Sequence, residues 1–143
     1  MSSRSRSLGQ VVQSIQLAQQ HLSTQINRIV DPLGLNMSQL TVLGYLSNQP
    51  NRCQTISLIV KATGMNQPAV TKIVSCLIDR GWVSKEADPL DARKRSLKIT
   101  AAGLGAVITA YGKLSPAIDT AFASISDEQA FQLQVLLKQL NTG

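Results

Sequence analysis

Histidine, cysteine and aromatic residues are scarce in this sequence, and their scarcity argues against several kinds of site. The chain of 143 residues has one histidine, two cysteines and 3% aromatic residues. The single histidine, His21, leaves few ligands for a metal site, so we expect no metal and no cofactor. The cysteines, Cys53 and Cys76, form no CxxC pair, and we expect both to be reduced thiols. Aliphatic side chains must therefore supply most of the core.

The sequence also lacks long apolar runs and the motifs of catalytic sites. No apolar run approaches the roughly 18 residues that a membrane span needs, and no signal-peptide pattern opens the chain. We therefore expect a cytoplasmic protein with no membrane partner. No glycine-rich phosphate loop is present, and the histidine has no positioned nucleophile as a partner. These absences predict that the protein is not an enzyme.

Charged residues make up only 15% of the chain, and the positive ones are concentrated in its middle third. Residues 52–98 contain nine cations and four acids, so this segment holds five of the six net positive charges. From residue 101 onward there are two cations and three acids. A basic face attracts a polyanion such as nucleic acid, but a solvated surface that only aids solubility would have the same composition.

Hydrophobic periodicity predicts a mainly α protein with one small β-hairpin. Apolar residues recur at helical spacing in six segments, and two short segments before and after residue 90 have strand patterns. The predicted elements are helices over 8–29, 39–47, 55–63, 67–80 and 101–125, strands over 82–86 and 96–100, and a last helix capped by Ser126. In the second strand, Leu97 and Ile99 are predicted to face the core and Ser96 to face outward. The first seven residues are small, polar and basic, and predict a disordered tail.

The two central helices have the pattern of a helix-turn-helix. They are joined by the tight turn Gly64-Met65-Asn66, in which Asn66 is a good N-cap, and Pro68 suits the first turn of the second helix. The outer face of that helix is polar, as a helix that hydrogen-bonds to bases in a major groove requires. Its residues are Gln67, Thr71, Lys72 and Ser75. An ordinary helical hairpin with a solvated face has the same pattern, and the two helices alone favour that alternative.

A basic hairpin follows the second helix directly and shifts the interpretation toward DNA binding. Its sequence, DPLDARKRSLKIT over residues 88–100, has the layout of the wing in a winged helix. The tip of a wing can place an arginine in a narrow, A·T-rich minor groove. We predict that Arg93 occupies the minor groove and that Asp91 orients it. Lys94 and Arg95 are predicted to contact phosphates.

The segment over residues 64–100 resembles the MarR family of winged-helix transcriptional regulators. The matching motifs are Asp79-Arg80-Gly81 before a hydrophobic strand, Asp91-Ala92-Arg93 in the wing, and Leu97-x-Ile99-Thr100 in the return strand. The flanking helices match in order and length, so the resemblance covers nearly the whole chain. It implies a winged helix-turn-helix lobe over residues 36–100. Residues 1–35 would form an N-terminal tail and dimerisation helix, and residues 101–143 the C-terminal dimerisation helices.

The resemblance implies a homodimeric, sequence-specific repressor that binds double-stranded DNA at a pseudo-palindromic operator. The DNA-binding residues would be Asn66, Gln67, Thr71, Lys72, Ser75, Asp91, Arg93, Lys94 and Arg95. It also implies release by a small aromatic or phenolic effector. His21, Tyr45 and Tyr111 are candidates for that site, and each is equally compatible with a core or surface role. Two alternatives stay open: a winged helix that binds only proteins, and a regulator that responds to oxidation of Cys76.

Overall fold

Six α-helices and one β-hairpin make up the fold of the computed structural model, which describes residues 2–49, 54–88, 90–91, 93 and 95–142. A single 3-10 turn at Asp31–Leu33 follows the first helix. The other elements are α1 (Ser3–Val30), α2 (Met37–Ser47), α3 (Ile56–Thr63), α4 (Gln67–Asp79), β1 (Val83–Ala87), β2 (Arg95–Ile99), α5 (Ala101–Ala121) and α6 (Asp127–Thr142). The predicted fold class, a mainly α winged helix-turn-helix with a small β-hairpin wing, is confirmed.

Side-chain caps and one glycine determine where the helices around the central turn begin and end. Asn36 caps α2 through a capping box, in which its side-chain oxygen accepts from the Gln39 N–H at 2.8 Å. Asn66 caps α4 and accepts from the Ala69 N–H at 2.9 Å. Gly64 ends α3 with φ 72°, a left-handed conformation that glycine adopts without a steric cost. The tight turn between α3 and α4 therefore follows from local sequence.

The ends of the chain differ in detail from the prediction. The first residues were predicted to be a disordered tail, but α1 begins at Ser3, and the Ser2 hydroxyl accepts from the Ser5 N–H at 3.1 Å. The prediction was wrong because an apolar stripe shows which part of a helix can pack, whereas a polar segment with a serine cap can extend it. The α5 helix ends at Ala121, before the predicted residue 125. Ser126 does form the predicted capping box with Gln129.

The core lies where α2, α3, α4, the wing and the middle of α5 meet. Its largest fully buried side chains are Leu43, Leu46, Ile59, Leu77, Val30, Val42 and Val70. Burying one such side chain stabilises the fold by about 1.5–3 kcal/mol. Val70, Val74 and Leu77 lie on the inner face of α4. The opposite face of this helix is therefore held toward solvent by aliphatic packing.

The wing is attached to this core through β2. The two strands are antiparallel, with Val83 opposite Ile99, and Leu97 forms a separate bridge to Gln54, whose carbonyl accepts from the Leu97 N–H at 2.7 Å. Leu97 and Ile99 are buried as predicted, but Ser96, predicted to face outward, is only 3% exposed. Neighbouring strand residues point to opposite faces. Since Ser96 and Leu97 are both buried, β2 is covered on both faces at this point.

Thr100 joins the wing to α5. Its N–H donates to the carbonyl of Trp82 at 3.0 Å, and its hydroxyl donates to the carbonyl of Gly81 at 2.7 Å. The same hydroxyl oxygen accepts from the Gly103 N–H at 3.1 Å and caps α5. Gly103 is buried where a Cβ would overlap the Trp82 carbonyl oxygen. These contacts hold the end of α4, the wing and the start of α5 together.

Apolar side chains are exposed on α1, α5 and α6, away from the core. They are Leu8, Val11, Val12, Leu17, Ile108, Tyr111, Ile118, Phe131, Leu133, Val135, Leu136 and Leu140. On α6 no described side chain is buried. An apolar surface of this extent is typical of an interaction site rather than of isolated surface residues. Among the helices described, none is both long and apolar enough to cross a membrane.

Candidate nucleic-acid interface

The outer face of α4 is a polar surface that contains four of the predicted DNA-binding residues. Gln67, Thr71, Lys72 and Ser75 are all exposed. They line one shallow groove with Pro68, Cys76 and Asp79. Their common exposure follows from the helical period, because Val70, Val74 and Leu77 occupy the opposite face and are buried. The structure thus brings these four residues together on the side of α4 that faces solvent.

Asn66 lies at the N-terminus of the same helix, where its side-chain oxygen is engaged in the cap. That oxygen accepts from the Ala69 N–H, so it is already used within the protein. A role of Asn66 in DNA binding would use its amide nitrogen. The N-terminus of α4 adds backbone N–H groups of the first turn, which can bind an anionic phosphate.

Arg93 projects from the tip of the wing, and Asp91 contacts it twice. The Asp91 Oδ1 accepts from the backbone N–H of Arg93 at 3.0 Å and from its side-chain Nε at 3.4 Å. The Arg93 side chain is 93% exposed, so this ion pair contributes little to stability and serves mainly to orient the guanidinium. The contact predicted between these two residues is present, and their role in DNA binding stays a prediction. Lys94, predicted to contact phosphate, lies outside the described residues.

A second groove, between α4 and the wing, adds a cation that the sequence analysis did not select. Its lining residues are Ile56, Thr71, Val74, Ser75, Ile78, Lys85, Arg95 and Leu97. Lys85 on β1 is opposite Leu97 on β2, which makes Lys85 and Arg95 diagonal neighbours across the hairpin. Both side chains therefore border the surface formed by Thr71 and Ser75. The register of the two strands would have shown that Lys85 lies beside this groove. The sequence does not determine that register, because the loop between the strands is long.

Cys76 lies on α4 at the border of the outer groove and is half-buried. The Nε2 of Gln39 lies 3.7 Å from its sulfur. Oxidation of this thiol would therefore change a contact between α4 and α2, and the thiol-responsive alternative stays a prediction. Cys53 lies outside the described residues. Within the described ranges, no three histidine, cysteine, aspartate or glutamate residues are grouped in a way that could hold a metal ion.

The three residues predicted for an effector site lie on three different helices. His21 is exposed and lines a groove formed by α1 residues alone. Tyr45 on α2 is half-buried, and its hydroxyl donates to the Gln54 Oε1 at 2.7 Å. The hydroxyl of Tyr111 on α5 lies against Gly44, in the space that a Cβ would occupy. Tyr45 thus belongs to α2, and Tyr111 contacts its neighbour Gly44. The groove at His21 contains neither tyrosine.

The Tyr45–Gln54 hydrogen bond is expected to stabilise the lobe measurably. Tyr45→Phe should lower the free energy of unfolding by about 1–3 kcal/mol, because the Gln54 side chain is 5% exposed and loses its hydroxyl partner. Urea unfolding at one fixed protein concentration measures this change. Tyr111→Phe is the matched control, since Tyr111 is 49% exposed and its change should stay within about 0.5 kcal/mol. Equal losses in the two variants would contradict the assigned role of the hydrogen bond.

Comparison with known proteins finds one family with a similar sequence segment and several solved structures with a similar fold. A sequence model of the MarR family matches residues 33–94. In a solved structure of a mutant MarR from E. coli complexed with operator DNA, the protein is 20% identical with a TM-score of 0.82, and the match covers 97% of this chain and 99% of that one. The MepR–DNA complex from S. aureus is 17% identical with a TM-score of 0.78, covering 90% and 91%. Wild-type apo MarR from E. coli is 21% identical with a TM-score of 0.75, covering 90% and 94%.

The sequence comparison and the structural comparison cover different shares of the chain. No curated protein matches the chain in sequence, and the solved structures are similar to it in fold. The family match covers the segment from the end of the 3-10 turn through α2, α3, α4 and the wing tip. The family model thus matches residues 33–94, less than half of the chain, and along nearly its whole length the chain shares the winged-helix fold of the MarR and MepR structures.

Proposed function

We propose that this protein is a DNA-binding transcriptional regulator of the MarR family, and that it is a homodimeric, sequence-specific repressor that binds a pseudo-palindromic operator and acts in the cytoplasm. The observation that carries the proposal is the continuous polar and basic surface formed by α4 and the wing. Hydroxyl and amide side chains on α4 suit the base edges of a major groove. The cations Lys72, Lys85 and Arg95 suit the phosphates on either side of it, and Arg93 suits an adjacent minor groove.

Each part of this surface has a separate role in the proposal. Gln67, Thr71 and Ser75 read bases, while Lys72 contacts a phosphate or a guanine. Arg93, oriented by Asp91, enters the adjacent minor groove. Arg95 contacts the phosphate backbone from the stem of the wing, together with Lys94 from the tip. The similar MarR and MepR structures were solved with operator DNA and with DNA, which supports the same use of the shared fold.

A selection of bound duplexes from a random pool tests sequence-specific binding. We expect the enriched sequences to contain an inverted repeat, with half-sites about one helical turn apart, because each lobe of a two-fold dimer reads one half-site. Competition with unrelated DNA at physiological salt gives the specificity ratio. A pool that shows no enrichment over non-specific background would instead favour the alternative in which the winged helix binds only proteins.

The homodimer in this proposal is formed by the exposed apolar surface of α1, α5 and α6. We assign residues 1–35 and 101–143 to dimerisation and residues 36–100 to DNA binding. Asn36 and Thr100 are the N-caps of α2 and α5, so both boundaries coincide with the start of a helix. Two chains would cover one another's exposed leucines, and the favourable free energy comes from removing this apolar area from water.

Leu136→Asp is expected to convert the dimer to a monomer. Leu136 on α6 is exposed in the single chain, and a carboxylate placed there would be buried twice in a symmetric interface. The dimer dissociation constant should rise by at least about a hundredfold, measured by sedimentation velocity over a concentration series. Ala102→Asp is the charge-matched control, because it lies in the first turn of α5, where the helix dipole favours an anion. A Leu136→Asp protein that still sediments as a dimer would show that α6 does not form the interface.

We also propose that a small aromatic or phenolic molecule releases the operator. Tyr45 and Tyr111 support this role, because Tyr45 lies on α2 and Tyr111 of α5 contacts the neighbouring Gly44, and α2 packs against both α4 and α5. A ligand that displaced the Tyr111 ring from Gly44 would change how α5 sits on the DNA-binding lobe. His21 on α1 is the third proposed contact. Titration of the operator complex with simple phenolic acids tests this proposal. Wild type should release the DNA, and Tyr111→Ala should release it less readily. If DNA affinity stayed unchanged at all ligand concentrations, these compounds would not be effectors.

A further inference from the structure

Leu90 at the tip of the wing is 97% exposed, more than any other large apolar side chain among the described residues. The next is Ile108 on α5, at 71%. The exposed apolar residues of α1, α5 and α6 form a surface shared by several helices, and that surface is assigned to the dimer. Leu90 is not part of it, because it projects from the wing, the segment assigned to DNA. Its exposure therefore requires a separate explanation.

The backbone at Leu90 is held by the same kind of contact that orders Arg93. The Asp88 Oδ1 accepts from the Leu90 N–H at 2.8 Å, and the Asp91 Oδ1 accepts from the Arg93 N–H at 3.0 Å. Each aspartate side chain thus bonds the backbone two residues ahead, and the pattern repeats after three residues. Leu90 and Arg93 occupy equivalent positions in these two turns. Among the described residues of the tip, Leu90 supplies an apolar side chain and Arg93 a cationic one, and an aspartate accepts from the backbone N–H of each.

We propose that Leu90 is a second minor-groove residue of the wing and that it inserts beside Arg93 to make apolar contact with deoxyribose and base edges. The inference rests on the proposed DNA binding by this wing. Minor-groove proteins insert leucine and similar side chains at base steps, and arginine is attracted by the negative potential of a narrow groove. A side chain that is almost fully hydrated in the free protein loses that hydration in the groove, which favours binding without adding charge.

A DNA groove suits this position better than the surface of a protein partner. Arg93 and Arg95 lie on the same hairpin as Leu90 and attract a polyanion. A stable protein interface buries about 1,000 Å² or more, which one projecting leucine does not supply. Insertion into a DNA groove, in contrast, requires only one projecting side chain.

The test compares wild type, Leu90→Ala and Arg93→Ala on a duplex selected from a random pool, with fluorescence anisotropy measured from 50 to 200 mM salt. Leu90→Ala should weaken binding by about tenfold, because it removes three carbons that the groove would bury, and the slope of log affinity against log salt should not change. Arg93→Ala should weaken binding and reduce the magnitude of that slope by about 1 for each phosphate that is no longer neutralised. Leu90→Met, which replaces the branched side chain with an unbranched apolar one of similar size, should stay within about threefold of wild type.

A footprint locates the contact directly. Dimethyl sulfate methylates N3 of adenine, an atom that lies in the minor groove. Wild type should protect one or two such adenines at each edge of the operator, and Leu90→Ala should lose part of that protection while the major-groove protection at guanine N7 persists. This pattern would support the insertion of Leu90.

Three outcomes would overturn the inference. Unchanged affinity and protection in Leu90→Ala, with weakened binding by Arg93→Ala, would refute it and leave the proposed DNA-binding function intact. A reduced salt slope in Leu90→Ala would show that the leucine acts only by positioning a cation. Failure of wild type to bind any selected duplex above background would remove both the inference and the proposed function on which it rests.

Discussion

Replacing Lys72 and Arg93 together by alanine is expected to abolish specific DNA binding at physiological salt. The two residues lie on separate elements, α4 and the wing tip, and both are exposed. In a dimer the change removes four contacts, two in each half-site. At about 1–3 kcal/mol for a good contact of this kind, affinity should fall by at least about a thousandfold. Fluorescence anisotropy with the selected duplex measures this decrease.

The salt dependence of binding separates the removal of these cations from a failure to fold. If the wild-type dimer neutralises roughly 6–10 phosphates, its affinity should fall by about 10³–10⁵ between 50 and 200 mM salt, and the double variant should show a shallower dependence. Lys113→Ala combined with Lys138→Ala is the matched control, because it removes the same charge from α5 and α6. If the Lys72 and Arg93 double variant bound as tightly as wild type, DNA would have to bind elsewhere than at α4 and the wing.

Gly103→Ala is expected to have the largest effect on stability among single substitutions of glycine. A Cβ at this position would overlap the carbonyl oxygen of Trp82 and press on the Ile99 side chain. A backbone carbonyl cannot move aside as a flexible side chain can, so α5 must shift away from the wing. We expect the free energy of unfolding to fall by about 1–3 kcal/mol, measured by urea unfolding at fixed protein concentration.

Gly105→Ala supplies the control for this substitution within the same helix. No atom lies within 4 Å of a Cβ built at Gly105, and the residue is exposed. Alanine should therefore stabilise the helix there by about 0.5–1 kcal/mol, because glycine lowers helix stability by that amount. Opposite signs in the two variants are the expected result. Equal effects would mean that the close approach of α5 to Trp82 does not constrain the fold.

The helix-turn-helix shows how much of the candidate site could be predicted from the sequence. Asn66 identified the start of α4, Gly64 the end of α3, and the apolar spacing the face of α4 that is buried. Once these three features are known, the exposed set on α4 follows from the helical period. The contact of Asp91 with Arg93 was also predictable, because the two residues are two positions apart in one loop.

Other features could not be predicted because they depend on contacts between residues that are distant in the chain. The alternation of a two-stranded hairpin predicts that Ser96 faces outward, but its burial shows that β2 is covered on both faces. Lys85 borders the groove beside α4 only because it is opposite Leu97 in the strand register. The helical start at Ser3 was missed for a different reason: a serine cap extends a polar segment that has no apolar stripe.

The order of the helices, the caps Asn66 and Ser126, the hairpin and the polar face of α4 could be predicted from local sequence. Each of these features depends on capping hydrogen bonds or on apolar spacing among residues that are only a few positions apart in the chain. The packing of elements that are distant in the chain leaves Leu8 and Leu136 exposed and buries Leu43 and Leu77. The same packing brings Lys85 and Arg95 together beside α4. Burial and the grouping of charges depend on which elements pack together, and an apolar stripe predicts that a face is covered without specifying by what.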